Sequence, residues 1–132
     1  MAIANRAATP TNTAPLTLDQ QRAADAWQCA QAQSQSKEYV NLAKGLPALI
    51  MNSGLLQVMA FLEEKGPKQQ HCSVVARDLR AWLRRRFAEV PEDFAGFMRA
   101  LMNADSSKFQ AITAESLAWL RWLRQLAAAI SR

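Results

Sequence analysis

The segment LPALIMNSGLLQVMAFL, Leu46 to Leu62, is the most apolar stretch of the chain, and its reading decides the fold class. A membrane-spanning helix needs about 20 predominantly apolar residues. This run is shorter and is interrupted by Asn52, Ser53 and Gln57, so it reads as a buried helix. Pro47 suits the first turn of that helix, where the amide has no intrahelical acceptor to lose. Leu49, Ile50, Met51, Leu55, Leu56, Val58, Met59, Phe61 and Leu62 cover most of the circumference, the pattern of a helix surrounded by other helices at the centre of a bundle. Gly54 in its interior costs about 1 kcal/mol against alanine, which points to close approach of a neighbouring backbone or to a functional need. Gly66 and Pro67 end the run.

The flanking sequence is helical on both sides. Thr17 with Gln20 makes a capping-box pattern, so a first helix begins at Leu18 and fades in the Gln33 to Ser36 stretch. Lys37 to Lys44 is a short helical segment with Tyr39, Val40, Leu42 and Ala43, closed by Lys44-Gly45 because glycine tolerates a left-handed cap. After a polar loop, Lys68 to His71, a helix is expected from about Ser73 to Ala88, with Val75, Leu79, Trp82 and Leu83 on one side. Pro91, Glu92 and Asp93 supply first-turn chemistry for a shorter helix bearing Phe94, Phe97, Met98, Leu101 and Met102. Asn103 to Ser107 breaks it. A turn at Lys108 to Ile112 follows, and Thr113 with Glu115 starts a last helix striped with Trp119, Trp122, Leu123, Leu126 and Ile130. No strand pattern, internal repeat or heptad run competes. The reading is an all-α, compact single-domain bundle of about five to six helices over residues 17–132, preceded by a disordered tail at residues 1–16.

Composition narrows the function. With 132 residues, half of them apolar, the chain has material for one hydrophobic core. Lys and Arg outnumber Asp and Glu by 16 to 11, a formal charge of +5. That excess suits an anionic partner, or serves solubility alone. Cys29 and Cys72 are far apart and lack CxxC spacing, and His71 is the one histidine, so neither a disulfide framework nor a zinc site is supported. A reducing cytoplasm fits this usage. The opening residues, Met1 to Ala14, hold no sustained apolar run and do not make a secretory signal.

Catalysis needs a nucleophile with a base, paired carboxylates or a metal cluster. His71 lies in a polar loop, where a solvated imidazole is the default, and the cysteines read as small buried hydrophobes. Gly45, Gly54, Gly66 and Gly96 are isolated and no GK[ST] occurs, so no phosphate loop exists. No catalytic residue, metal site or cofactor is expected.

The most informative charged constellation is Arg77, Arg80, Arg84, Arg85 and Arg86 on one expected helix. Arg77, Arg80 and Arg84 share a face opposite the sector of Val75 and Leu79, in a stripe about 10 Å long. Arginine suits a polynucleotide backbone because its planar fork spans two phosphate oxygens and keeps its charge. A solvated face partly balanced by Asp78, Glu89, Glu92 and Asp93 is the competing reading. Arg85 and Arg86 fall elsewhere, near the helix end where cations are favourable anyway. Arg121 and Arg124 form a second pair away from the last helix's Trp stripe, and Lys44, Lys65 and Lys68 flank the central apolar segment. Trp119 and Trp122 read as core, and Trp27 as the exposed aromatic.

Two long segments carry a family resemblance. YVNLAKGLPALIMNSGLLQVMAFL, Tyr39 to Leu62, resembles the signature of the small subunit of type III-B (Cmr) CRISPR effector complexes. FQAITAESLAWLRWLRQLA, Phe109 to Ala127, is similar to that family's closing motif, a Thr-x-Glu cap before a Trp-Leu-basic sequence. With the Gln/Ala-rich first helix and the Trp82-Leu83 helix, the resemblance covers most of the chain after the tail. Two departures stand out. Gln110 is neutral where an aromatic-basic pair is common, and Leu56 follows Leu55 where a second small residue is common.

The resemblance implies a helical bundle without nuclease activity of its own, present in more than one copy along an RNA-guided ribonucleoprotein. Its implied partners are the guide and target RNA strands, the large subunit, the repeated backbone subunit and further copies of itself, with no membrane. Base pairing would read sequence there, while the small subunit meets backbone and shape. The contact residues come from charge placement and not from the family motif: Arg77, Arg80, Arg84, Arg85, Lys44, Lys65, Lys68, Arg121 and Arg124. The alternative is a helical protein–protein adaptor with no nucleic-acid role. A small hydrolase dependent on His71 is a third reading with little to support it.

Overall fold

The structure, a computed structural model, describes residues 15–131. Apart from Pro15 and Leu16, the tail expected at residues 1–16 lies outside these. Six helices and no strand occur among the described residues: α1 Leu18–Ala32, α2 Lys37–Ser53, α3 Leu55–Lys65, α4 Gln70–Arg86, α5 Phe94–Met102 and α6 Ser106–Ile130. The fold is all-α, as expected. Helix α1 starts where the Thr17–Gln20 pattern places it, with both reciprocal bonds formed: Gln20 N donates to Thr17 Oγ1 at 3.1 Å and Thr17 N to Gln20 Oε1 at 2.8 Å.

The central apolar segment differs from its reading. It is not one helix starting at Pro47. Helix α2 runs through Gly45 and Pro47 without a stop, and the break falls at Gly54, whose φ of 88° and ψ of 157° place it in a region that is essentially reserved for glycine. Pro47 has no amide to offer the carbonyl of Ala43, yet the helix continues because Leu46, Pro47 and Ile50 are buried together. The apolar circumference that suggested a central helix is the sum of two narrower faces. Helix α2 buries Tyr39, Val40, Ala43, Leu46, Pro47 and Ile50, and α3 buries Leu55, Val58, Met59 and Leu62. Leu49, Met51 and Phe61 are left exposed.

The central position belongs to α6. It packs against α1, α2 and α4, while α3 lies on α2, α4 and α5. Its start also differs: Asp105 caps it, accepting from Lys108 N at 2.8 Å, and the helix runs unbroken through the turn expected at Lys108 to Ile112. Thr113 is therefore inside the helix, with its hydroxyl buried and unpaired, and does not cap anything. Asp93 likewise lies just outside α5 and caps it by accepting from Gly96 N. Helix α4 begins at Gln70, within the expected loop, and ends two residues before Ala88. Trp82, Trp119, Tyr39 and Phe97 are the largest fully buried side chains, and all six helices contribute to one contiguous core.

Candidate functional site

A polar seam joins α1, α4 and α6, buried at Glu115 and open to solvent at Asp19. Three of the four tryptophans donate an indole N–H to a carboxylate across helices: Trp82 to Glu115 Oε2 at 2.9 Å, Trp119 to Asp25 Oδ2 at 2.9 Å, and Trp122 to Asp19 Oδ1 at 2.9 Å. Each carboxylate also meets an arginine. Glu115 takes a two-pronged contact from Arg22, whose Nε and Nη2 each donate at 2.8 Å, and Arg86 Nε approaches at 3.5 Å. Asp25 accepts from Arg85 at 3.0 Å, and Asp19 from Arg22 at 3.4 Å.

Glu115 is 5% exposed, so its charge needs these donors. Burial pushes its carboxyl pKa up, but hydrogen bonds from Arg22 and Trp82 and the charges of Arg22 and Arg86 outweigh that and hold it below the ordinary value. The same pairing raises Arg22. A second buried polar group sits between α1, α2 and α4. Tyr39 Oη lies 3.4 Å from Asp78 Oδ2, and burial raises the Asp78 carboxyl despite Arg77 alongside. Burial, followed by the nearby Asp78 and Asp25 carboxylates, pushes the Cys29 thiol up to about 12.

This scaffold sorts the arginines of α4. Arg77 and Arg84 face solvent on the outer side of the helix, with Arg77 Nη2 3.4 Å from Asp78. Arg80 shares their face in the helical projection but is folded inward. Its Nε donates to the Glu92 carbonyl at 2.6 Å, its Nη1 is buried without a partner, and burial lowers its pKa against the raising effect of Glu63, Asp93 and Glu92. Arg85 lies over the Trp82 ring, 5.0 Å from its centroid, while bonded to Asp25. The solvent-facing stripe thus consists of Arg77 and Arg84, two turns apart, and not of three arginines.

The remaining basic residues lie elsewhere. Arg121 and Arg124 are exposed on the outer face of α6, Lys44 is exposed on α2, and Lys65 and Lys68 stand at the end of α3 and in the connection to α4. The nine residues are therefore spread over α2, α3, α4, α6 and the connection between α3 and α4. Asp25 and Asp19 were not singled out in the sequence, and Glu115 was read there only as part of a helix-cap pattern, not as a buried acid. For Glu115 a signal existed: it follows Ile112 by three residues and precedes Trp119 by four, which puts an acid on the apolar stripe. Among the described residues no group of three or more His, Cys, Asp or Glu is placed to hold a metal, and no helix is long and apolar enough to cross a membrane.

These features define a small helical-bundle protein with basic outer faces held on an internal seam of acids, tryptophans and arginines. A family model described as CRISPR-associated protein (Cas_Cmr5) matches residues 18–130, from the first residue of α1 to the last of α6. The chain belongs to this Cmr5 family, the small-subunit family of type III-B Cmr CRISPR complexes. The fold is also similar to the crystal structure of a CRISPR-associated Cmr5 family protein from Thermus thermophilus, with a TM-score of 0.75 at 24% identity over 89% of this chain and 100% of that one. A comparison with curated protein sequences finds no match.

Proposed function

We propose that the chain is the non-catalytic small subunit of a type III-B CRISPR effector ribonucleoprotein, and that it contacts the backbone of guide and target RNA through solvent-facing arginines. Residues 17–132 act as one domain. Other faces pack against the large subunit, the repeated backbone subunit and further copies of the chain, in the cytoplasm. The observation that carries the RNA contact is the pair Arg77 and Arg84 on the outer face of α4. They are seven residues apart, about 10 Å along the axis, and both side chains are exposed. Two guanidiniums so placed can each fork onto phosphate oxygens of one strand. Arg121, Arg124 and Lys44 extend the basic surface on other helices.

The adaptor reading draws its support from the same helix, since Arg80 is folded inward and Arg85, although more than half exposed, is paired with Asp25. Recovery of the tagged full chain from cells, with half the sample treated with nuclease, separates the two. Co-purification of effector subunits together with short guide RNA is the expected result. Recovery of protein partners with no RNA in the untreated half would leave the adaptor.

A further inference from the structure

The turn at Gly54 sets α2 and α3 at an angle and opens a groove of about 510 Å³ between them, lined by Leu49, Ser53, Gln57, Val58 and Phe61. None of these is charged, and Leu49 and Phe61 remain 39% and 41% exposed. One turn beyond Phe61 the character changes. Lys65 stands over the Phe61 ring with Nζ 5.9 Å from its centroid, and a second cleft of about 410 Å³ follows, lined by Glu64, Lys65, Pro67, Lys68 and Gln69. Lys65 links the two clefts, lying over the Phe61 ring that lines the first and itself lining the second, so the surface passes from an uncharged end on α2 and α3 to an end with two lysines and one glutamate at the α3–α4 connection.

We propose that this surface docks a segment of a partner protein that presents an apolar side chain and, about 6 Å further on, a carboxylate. The uncharged end removes an aliphatic or aromatic anchor from water, the usual source of affinity at an interface centre. Lys65 and Lys68 supply the charge complement that fixes the segment's direction. The separation follows from the one-turn step from Phe61 to Lys65, which two residues of an extended segment or one turn of a helix would span. A nucleic-acid strand fits less well, because base stacking needs an open ring face and Lys65 stands over that of Phe61. A second copy of this chain would approach against a net like charge of +5.

The test places p-benzoylphenylalanine at Phe61, and separately at Leu49, in the full chain within the effector assembled in cells, followed by irradiation and peptide mapping. The proposal predicts crosslinks to one segment of a co-assembled protein in which an Asp or Glu lies within about four residues of the crosslinked apolar residue. It further predicts that Lys65→Glu lowers crosslinking severalfold while Lys65→Arg preserves it. Crosslinks to RNA or to another copy of this chain, the absence of crosslinks from both positions, or insensitivity to Lys65→Glu would each overturn it. RNA retained in the same assemblies reports separately on the arginine contacts.

Discussion

Trp82 on α4 donates its indole N–H to Glu115 on α6 at 2.9 Å, with both side chains removed from solvent. Arg22 of α1 closes on the same carboxylate from another direction, so one buried acid ties three helices. Glu115→Ala would leave the Trp82 N–H without its acceptor and the Arg22 charge with only the longer contact to Asp19. Breaking a buried pair in this way costs about 3–5 kcal/mol. Urea unfolding of the full chain should show that loss, and Glu115→Gln, which keeps an acceptor for Trp82, should lose distinctly less.

The seam also sets the acid limb of stability. The Glu115 carboxyl titrates below its ordinary 4.5 in the folded chain. Its contribution is therefore complete above about pH 4.5 and is lost as pH falls through the folded value. Asp78 works in the opposite sense: its pKa is raised above 3.8, so its contribution is present below that value and is lost as pH rises through the folded pKa. Stability measured across pH 3 to 6 should fall less steeply on the acid side for Glu115→Gln than for the parent, and more steeply for Asp78→Asn.

Gly54 and Gly45 make a matched pair. Neither has a neighbour within 4 Å of an added Cβ, so space does not distinguish them. Conformation does. Gly54→Ala forces a side chain into a glycine-only region and should cost about 1–3 kcal/mol. Gly45 is exposed inside α2, where Ala gains about 0.5–1 kcal/mol. Thermal unfolding of the two variants should shift in opposite directions.

Cys29 should be inert in the folded chain. A thiol pushed from 9.0 to about 12 has a thiolate fraction about a thousandfold smaller at pH 8. Cys72 is buried and also raised. Reaction with a disulfide reagent at pH 8 should be slow in native conditions and rapid in denaturant, and fast native labelling of Cys29 would contradict the packing described around Asp78.

Much of the fold was legible because local chemistry and burial agree. Thr17 and Gln20 cap α1, Asp93 lies at the start of α5, and Val75, Leu79, Trp82 and Leu83 are buried on one side of α4. Pro47 and Gly54 misled because tertiary packing overrode local preference. A proline favoured at a helix start was carried in an interior, and a glycine read as interior proved to be the junction. Thr113 and Glu115 look like a cap in sequence, but that pattern does not reveal that the helix has already begun at Ser106. In the arginine stripe, spacing identifies the face that Arg77, Arg80 and Arg84 share. It does not reveal that the Glu92 carbonyl, twelve residues on, draws Arg80 in, nor that Asp25 on α1 holds Arg85.

The central claim is that Arg77 and Arg84 meet phosphate. Its most direct test is the salt dependence of single-stranded RNA binding by the assembled effector, compared between the parent and an Arg77→Ala/Arg84→Ala double variant whose helix content and assembly are intact. At roughly 0.7 per phosphate contact, the slope of log affinity against log salt should fall by about 1.4 for each variant subunit engaged. An unchanged slope in a fully assembled effector would contradict the claim and remove the outer face of α4 from the RNA surface.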